Sequence, residues 1–405
     1  RTGLDPAEVR RRNFIPPSAF PYDTHNEAVV YDSADFPAAL AECQRMLGYD
    51  ELRAEQASRR NDPTKPLLGI GLSCWLEIAG FGPNGSLEGF GHLASWESAQ
   101  VRVNPDGSAV VFAGSSPHGQ GHETVFAQIA SDELGISYDR IQVRTGDTAT
   151  VIQGIGTMGS RGVPTSGSAV KVASQRVLAR AKKIAAHLLE ASEHDLEVAD
   201  DAFNVRGSPG KKVGWSEVAW SSFQPLALPP ELQAGSLEER LFQESPNFSY
   251  PSGAYGVVVE IDRETGAVTV LRAVLVDDCG TVINPLLAEG QVHGGVAQGI
   301  AQALYEQFVH DPDSGQPLTA NLLDYLAPSA ADLPDFEAGR IVTLCPNNPL
   351  GAKGIGESGA VGAPAAVINA VVDALADFGV EHVDMPATPE KVWALMHAAG
   401  VGGGA

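Results

Sequence analysis

Twice along the chain, two β-like runs joined by a tight turn lead into a glycine-rich loop and then into an amphipathic helix. No other feature of the sequence constrains the fold as much. In the first pass the runs 98–103 and 109–113 flank Pro105-Asp106-Gly107-Ser108. Asp-Gly between alternating runs is a strong hairpin signal, because glycine accepts the positive φ that the turn demands. The loop 114–121 follows, then a helix from about His122 to Leu134. Val125 with Ile129 and Phe126 with Ala130 form its buried stripe, and Gly135 ends it. In the second pass the runs 256–261 and 267–276 are joined through 262–266 and lead into the loop 277–289 and a helix over 290–308. The two passes lie too far apart for a solenoid. They predict an α+β fold with two lobes sharing an interface.

The rest of the chain is read around that duplication. Asp5-Pro6-Ala7-Glu8 opens a helix reaching about Asn13, with Asp as cap and Pro at the first helical position. Ser33 or Asp35 opens a second, with Phe36, Leu40, Cys43 and Leu47 on one face. It is broken at Gly48 and continues over 50–60 before a linker at 61–66. A β-like run at 68–75 precedes the first pass. Between the passes lie a long helix, 165–191, and a strand pair, 203–206 with 212–218. An apolar helical run, 363–378, closes the pattern. The expected division is a helical opening segment with its linker (1–66), a first lobe (67–220), a connector (221–249) and a second lobe (250–400).

A net charge of −23 argues against nucleic acid and anionic membranes as partners, since both require clustered Lys and Arg. Arg10-Arg11-Arg12 is the one dense basic run, and it reads as a solvated helix face. Cys43, Cys74, Cys279 and Cys345 lie far apart without a C-x-x-C pair, which argues against an iron–sulfur or zinc site built from this chain alone. The same spacing argues against a disulfide framework and makes a reducing compartment, the cytoplasm, the expectation. No apolar run is long enough to span a bilayer. Residue 1 is Arg rather than Met, so a fragment or a processed product is expected.

Several loops carry chemistry-bearing residues. Ser115-Ser116-Pro117-His118-Gly119-Gln120-Gly121-His122-Glu123-Thr124 places glycines before a helix, where free N–H groups and the positive dipole end favour an anion. An unoccupied glycine turn reads equally well. Gly154, Gly156 and Gly159 match G-x-G-x-x-G, but no Asp or Glu occurs between Arg161 and Leu189 and Pro164 interrupts the helix start. A nicotinamide fold is therefore rejected. Ser160 and Arg161 remain available there to phosphate or carbonyl oxygens. On the second helix Gln291, Gly294, Gly295, Gln298 and Gln302 recur at three- and four-residue spacing. Close helix packing and an amide-lined ligand wall both account for that stripe. Finally, the 347–359 run sets a single carboxylate, Glu357, among Gly351, Gly354, Gly356 and Gly359, just before the apolar helical run. A carboxylate in such a close-packed place is a candidate general base, and a first-turn Glu that complements the helix dipole is the plainer alternative.

In their order these motifs resemble the C-terminal half of the molybdenum-binding large subunit of molybdenum hydroxylases, a family of xanthine dehydrogenases, aldehyde oxidoreductases and aerobic carbon monoxide dehydrogenases. The resemblance runs from Gly3-Leu4-Asp5-Pro6 through Gly80-Phe81-Gly82-Pro83, Gly119-Gln120-Gly121, Gly159-Ser160-Arg161 and Asn284-Pro285 to 351–359. It implies a molybdopterin cofactor in the cytosine dinucleotide form, with molybdenum held through the pterin dithiolene and not by a side chain. Gly119, Gln120 and Gly121, with His122 and Thr124 beside them, match the loop that holds the cofactor. Gly159, Ser160 and Arg161 match the loop near the metal, and Gln298 matches a glutamine beside the metal's ligands. Lys353 and Gly354 belong to the run leading to Glu357, which matches the catalytic glutamate. The implied reaction is hydroxylation of an aldehyde, an N-heterocycle or carbon monoxide, with water as oxygen source and Glu357 as base.

The family's Gly-Gly-Phe-Gly loop, which lies in the first half of its large subunit, has no counterpart here. The resemblance therefore implies a site completed by a preceding segment or a separate chain. It also implies electron transfer to iron–sulfur and FAD subunits, in a dimer of such heteromers. A non-catalytic scaffold of the same fold is the competing reading. A Ser or His hydrolase finds no G-x-S-x-G elbow.

Overall fold

The computed structural model describes residues 3–26, 29–60, 62–82, 96–208, 210–224, 226, 228–233 and 235–398. Asn61 of the expected linker, Pro83 of the 80–83 run, residues 225, 227 and 234 of the connector and residues 399–400 lie outside them.

The chain opens with α1 (Pro6–Asn13), a small hairpin of β1 (Tyr22–Asn26) and β2 (Val29–Tyr31), then α2 (Phe36–Leu47) and α3 (Tyr49–Arg60). Asp5 accepts from Ala7 N at 2.8 Å and Asp35 accepts from Ala38 N at 2.9 Å, so both helices start at aspartate caps. Gly48 ends α2 with φ +67°, a backbone state that only glycine adopts freely. The chain then runs through β3 (Leu67–Leu76), β4 (Glu97–Val103), β5 (Ala109–Ala113), α4 (His122–Leu134), β6 (Ile141–Arg144) and α5 (Ser168–Leu189). A wide helical turn, Gly162–Gly167, leads into α5. A small sheet of β7 (Leu196–Ala199), β8 (Ala202–Val205) and β9 (Lys212–Gly214) follows, with α6 (Trp215–Ser222). The second lobe is reached through β10 (Leu237–Gln243) and comprises β11 (Ser252–Ile261), β12 (Val268–Asp278), α7 (Pro285–Leu304), β13 (Phe336–Arg340), α8 (Ser358–Ala374) and α9 (Pro389–Ala398).

The duplication is present in the sheets. One orders β10-β4-β5-β6 and the other β3-β11-β12-β13. In both, an antiparallel hairpin is followed by a helix and then by a strand parallel to the hairpin's second strand. The fourth strands are exchanged. β3, which precedes the first hairpin, pairs with β11 of the second, while β10, which precedes the second hairpin, pairs with β4 of the first. The two crossing segments meet at a bridge between Ala79 and Ser249.

Helices cover the second sheet on both faces. α7 and α8 pack Val296, Ile300, Ala363 and Val367 against Tyr255 and Val257. On the other face α2 sets Leu40, Cys43 and Leu47 against Ile70, Val258 and Val274. The first lobe has its own core, in which α4 and α5 lie over β4 and β5.

Several boundaries depart from the sequence expectation. The strand expected to reach Val218 stops at Gly214, because Trp215, Val218 and Ala219 are buried at helical spacing. α7 begins at Pro285 under an Asn284 cap, five residues before the expected start, and ends at Leu304, which leaves Phe308 exposed. α8 begins at Ser358 and passes Pro364, so Glu357 is its N-cap residue. Among the described residues no helix is long and apolar enough to cross a membrane.

Candidate active site

A half-open cleft lies where four helix starts converge. Its walls come from Gln120 and His122 at the head of α4, from Thr157 and Ser160 ahead of the wide turn, from Asn284 and Leu287 at the head of α7, and from 353–356 ahead of α8. Helix starts carry unpaired N–H groups and a partial positive charge, so their convergence suits an anionic ligand. α4 is well disposed for this, because its cap residue is Gly121 and no side chain satisfies its first amides.

The glycines admit close approaches that a Cβ would block. Gly121 has φ +79°, and a Cβ there would meet Leu287 at 2.6 Å. A Cβ on Gly354 would come within 2.4 Å of Ser160 O, and one on Gly162 within 2.4 Å of His122 Nε2. That last contact pins the imidazole, which also stacks on Phe126 at 5.0 Å. Burial pulls the His122 pKa down to about 4, so the ring is neutral at pH 7. Gln120 Nε2 lies 3.5 Å from His122 Nδ1 and donates to Ser116 O at 3.1 Å.

Glu357 does not line the cleft but stands at its rim, next to Gly356 and bonded to Ser160, both of which do. Its carbonyl begins α8 by accepting from Val361 N at 3.1 Å, while its side chain makes no capping bond and is exposed. Glu357 Oε2 instead accepts from Ser160 Oγ at 2.8 Å, across 197 residues of sequence. A Cβ on Gly356 would lie 3.5 Å from Ser160 Oγ and 3.7 Å from Gln291 Oε1, which places all three groups on one side of the opening.

Other expected site residues are placed differently. The Arg161 guanidinium is fully buried, paired with Glu97 and donating through Nε to Phe81 O at 2.7 Å. Its charge is therefore spent inside the protein and does not face the cleft. Lys353 lines the cleft, but its ammonium turns inward to Ser33 O at 2.8 Å, Thr343 Oγ1 at 2.8 Å and Asp278 at 3.4 Å. Gly119 is exposed with φ +92°, Thr124 is half-buried on α4, and Gly159 packs its bare Cα against Phe81. Gln298 is exposed on α7, two turns beyond Gln291, outside the cleft lining. With Arg161 and Lys353 both engaged, the cleft walls meet an anion with amides, hydroxyls and backbone N–H groups.

One residue escaped the sequence reading. Glu77 follows β3 directly, and its Oε1 lies 3.0 Å from the same Ser160 hydroxyl. The available signal was isolation, since Glu77 is the sole charged residue between Lys65 and Glu88.

A two-lobed fold whose helix starts converge on a cleft, with Glu357 and Glu77 sharing Ser160 beside it, has the layout of a cofactor-binding domain. The sequence profile of the molybdopterin cofactor-binding domain matches residues 42–334, and the chain belongs to the molybdenum hydroxylase large-subunit family. It is 43% identical to the carbon monoxide dehydrogenase large chain of Hydrogenophaga pseudoflava, over 97% of this chain and 48% of that protein. It superposes with a TM-score of 0.90 on a Cu,Mo-CO dehydrogenase in its carbon monoxide reduced state, at 39% identity over 98% of this chain and 50% of that one. Quinoline 2-oxidoreductase from Pseudomonas putida 86 gives a TM-score of 0.89 at 35% identity, again over 98% and 50%. The chain thus spans about half the length of the relatives it matches.

Proposed function

We propose that this chain holds the molybdopterin cofactor, in its cytosine dinucleotide form, and supplies the base for a hydroxylation completed by the other half of the large subunit. The carrying observation is the Glu357 carboxylate, hydrogen-bonded to Ser160 of the cleft wall beside a cleft formed by helix starts. Bound there, the cofactor supplies two-electron redox chemistry and activates the water whose oxygen enters the product. The protein's part is to orient and to move a proton. The uncapped α4 start and the Gln120 amide receive the anionic end of the cofactor, and neutral His122 backs that wall without adding charge. Glu357 takes up the proton that the water gives up. Its exposure in this half is consistent with a second half closing over it and excluding bulk water.

The substrate is an aldehyde, an N-heterocycle or carbon monoxide, and electrons leave to iron–sulfur and FAD subunits in a cytoplasmic dimer of heteromers. In the complete assembly Glu357→Gln is expected to keep its molybdenum and pterin while kcat falls by roughly 100-fold or more. Metal analysis, pterin fluorescence after denaturation and turnover with an artificial acceptor check this. Full turnover would remove Glu357 from its role, and an assembly without molybdenum would leave a scaffold. Assaying one substrate of each class with the same acceptor separates the three.

A further inference from the structure

Glu77 lies at the crossover that follows β3, where its N–H donates to Pro251 O at 3.0 Å. Its half-buried carboxyl sits between two serines, with Oε1 3.0 Å from Ser160 Oγ and Oε2 3.4 Å from Ser358 Oγ. Ser160 Oγ also lies 2.8 Å from Glu357 Oε2 and accepts the Glu357 N–H at 3.2 Å. One hydroxyl therefore faces two carboxyls and an amide. Ser160 is held there with φ +49°, in the left-handed region, a cost that only surrounding contacts sustain.

Hydrogen counting limits what these four groups can do. A serine hydroxyl offers one hydrogen and two lone pairs. The Glu357 N–H takes one lone pair. If both carboxyls were ionised, two acceptors would compete for the single hydrogen and one contact would be left without any. A proton on one carboxyl resolves this: that carboxyl donates to the second lone pair of Ser160, and the Ser160 hydrogen goes to the other. The environments decide which one holds it. Glu357 is exposed, whereas burial pushes the Glu77 pKa up to about 7, and the Glu357 charge adds to that shift. The other titratable groups on this side are Tyr255 on β11 and Asp277, whose carboxylate accepts from the Tyr255 hydroxyl at 2.7 Å and is itself pushed to about 7. Among the described residues no lysine or arginine offsets the Glu77 charge.

Taking Glu357 as the base, we propose that Glu77 is its positioning residue: protonated Glu77 donates to Ser160 Oγ, which commits the Ser160 hydrogen to Glu357 and holds that carboxylate at the rim. As pH rises through about 7 Glu77 ionises, the Ser160 hydrogen is contested, and a second negative charge faces Glu357. The contribution is thus present below that pH and lost above it. Glutamine, which donates from its amide at every pH, replaces the protonated acid.

The test uses the complete, molybdenum-loaded assembly. Glu77→Ala is expected to lower kcat about 10- to 100-fold with molybdenum content and KM little changed, the scale of a misaimed catalytic group. Glu77→Gln is expected to restore most of that loss at pH 6 and to abolish the decline in kcat that the wild type shows above about pH 7. Two protonated-carboxyl C=O infrared contributions are expected to titrate near pH 7 in the wild type, from Glu77 and Asp277: the one that persists in Asp277→Asn is expected to be missing from Glu77→Gln. A Glu77→Gln enzyme as impaired as Glu77→Ala, or one with the wild-type pH profile and band, overturns the proposal. Full turnover by Glu357→Gln would overturn the base assignment and leave the Glu77 band in place, so the two failures are told apart.

Discussion

Arg161 shows how a single side chain takes a role its local sequence does not announce. In a glycine-rich turn beside Ser160 it reads as a phosphate ligand, yet it is sealed against Glu97, and burial raises the Glu97 pKa against the pull of that guanidinium. The pair holds the turn 156–161 to the start of β4, since Arg161 Nη1 also donates to Gly156 O at 3.2 Å. Removing one member of a buried ion pair leaves an uncompensated charge and costs about 3–5 kcal/mol. Arg161→Met is expected to lose that much stability by chemical denaturation, and adding Glu97→Leu to recover part of it. An Arg161→Met protein of unchanged stability that lost cofactor would instead place the guanidinium on the ligand. Glu357 and Ser160 stood out in the sequence because each sits in a glycine run, where backbone and ligand can approach closely. The roles of Arg161 and Glu77 were not legible, because their partners lie 64 and 83 residues away.

Between elements, the glycine stripe of α7 divides into two functions that its periodicity could not separate. A Cβ on Gly295 would meet Gly359 Cα at 2.9 Å, and one on Gly299 would meet Ala363 Cβ at 2.7 Å, so these two let α7 and α8 approach closely. Gly294, one position along, faces open space. Gly295→Ala is therefore expected to destabilise by about 1–3 kcal/mol through overpacking. Gly294→Ala is expected to stabilise by up to about 1 kcal/mol through helix propensity. Paired thermal melts check both, and equal effects would dissolve the distinction. The α7 start was misplaced for a local reason. Asn284-Pro285 is a cap followed by a first-turn proline, but the acidic and turn-forming residues before it carry the look of a loop.

For the molecule as a whole, the exchanged strands make each lobe's sheet depend on a strand from across the crossover. β3 lies within the segment expected to form the first lobe, and β10 within the expected connector, yet both are laid into full sheets. Withdrawing either lobe would strip a strand from the other, so the two are expected to unfold together. Native-state hydrogen exchange is expected to give the slowest amides of β4–β5 and of β11–β12 the same opening free energy, within about 1 kcal/mol. A first lobe that opens at markedly lower free energy would show that the exchange does not couple them.

What the sequence determined alone was set by neighbours along the chain. The aspartate caps, the hairpin turns, the helical stripes and the glycine runs all follow from local sterics and periodicity, and they carried the repeated plan of the two lobes. Tertiary structure alone decided which strand completes which sheet and which polar side chains face the cleft. The physical reason is range. Backbone preference acts over a few residues, whereas the pairing of Glu77 with Ser160, of Arg161 with Glu97 and of Lys353 with Asp278 exists only after the crossover brings distant segments into contact.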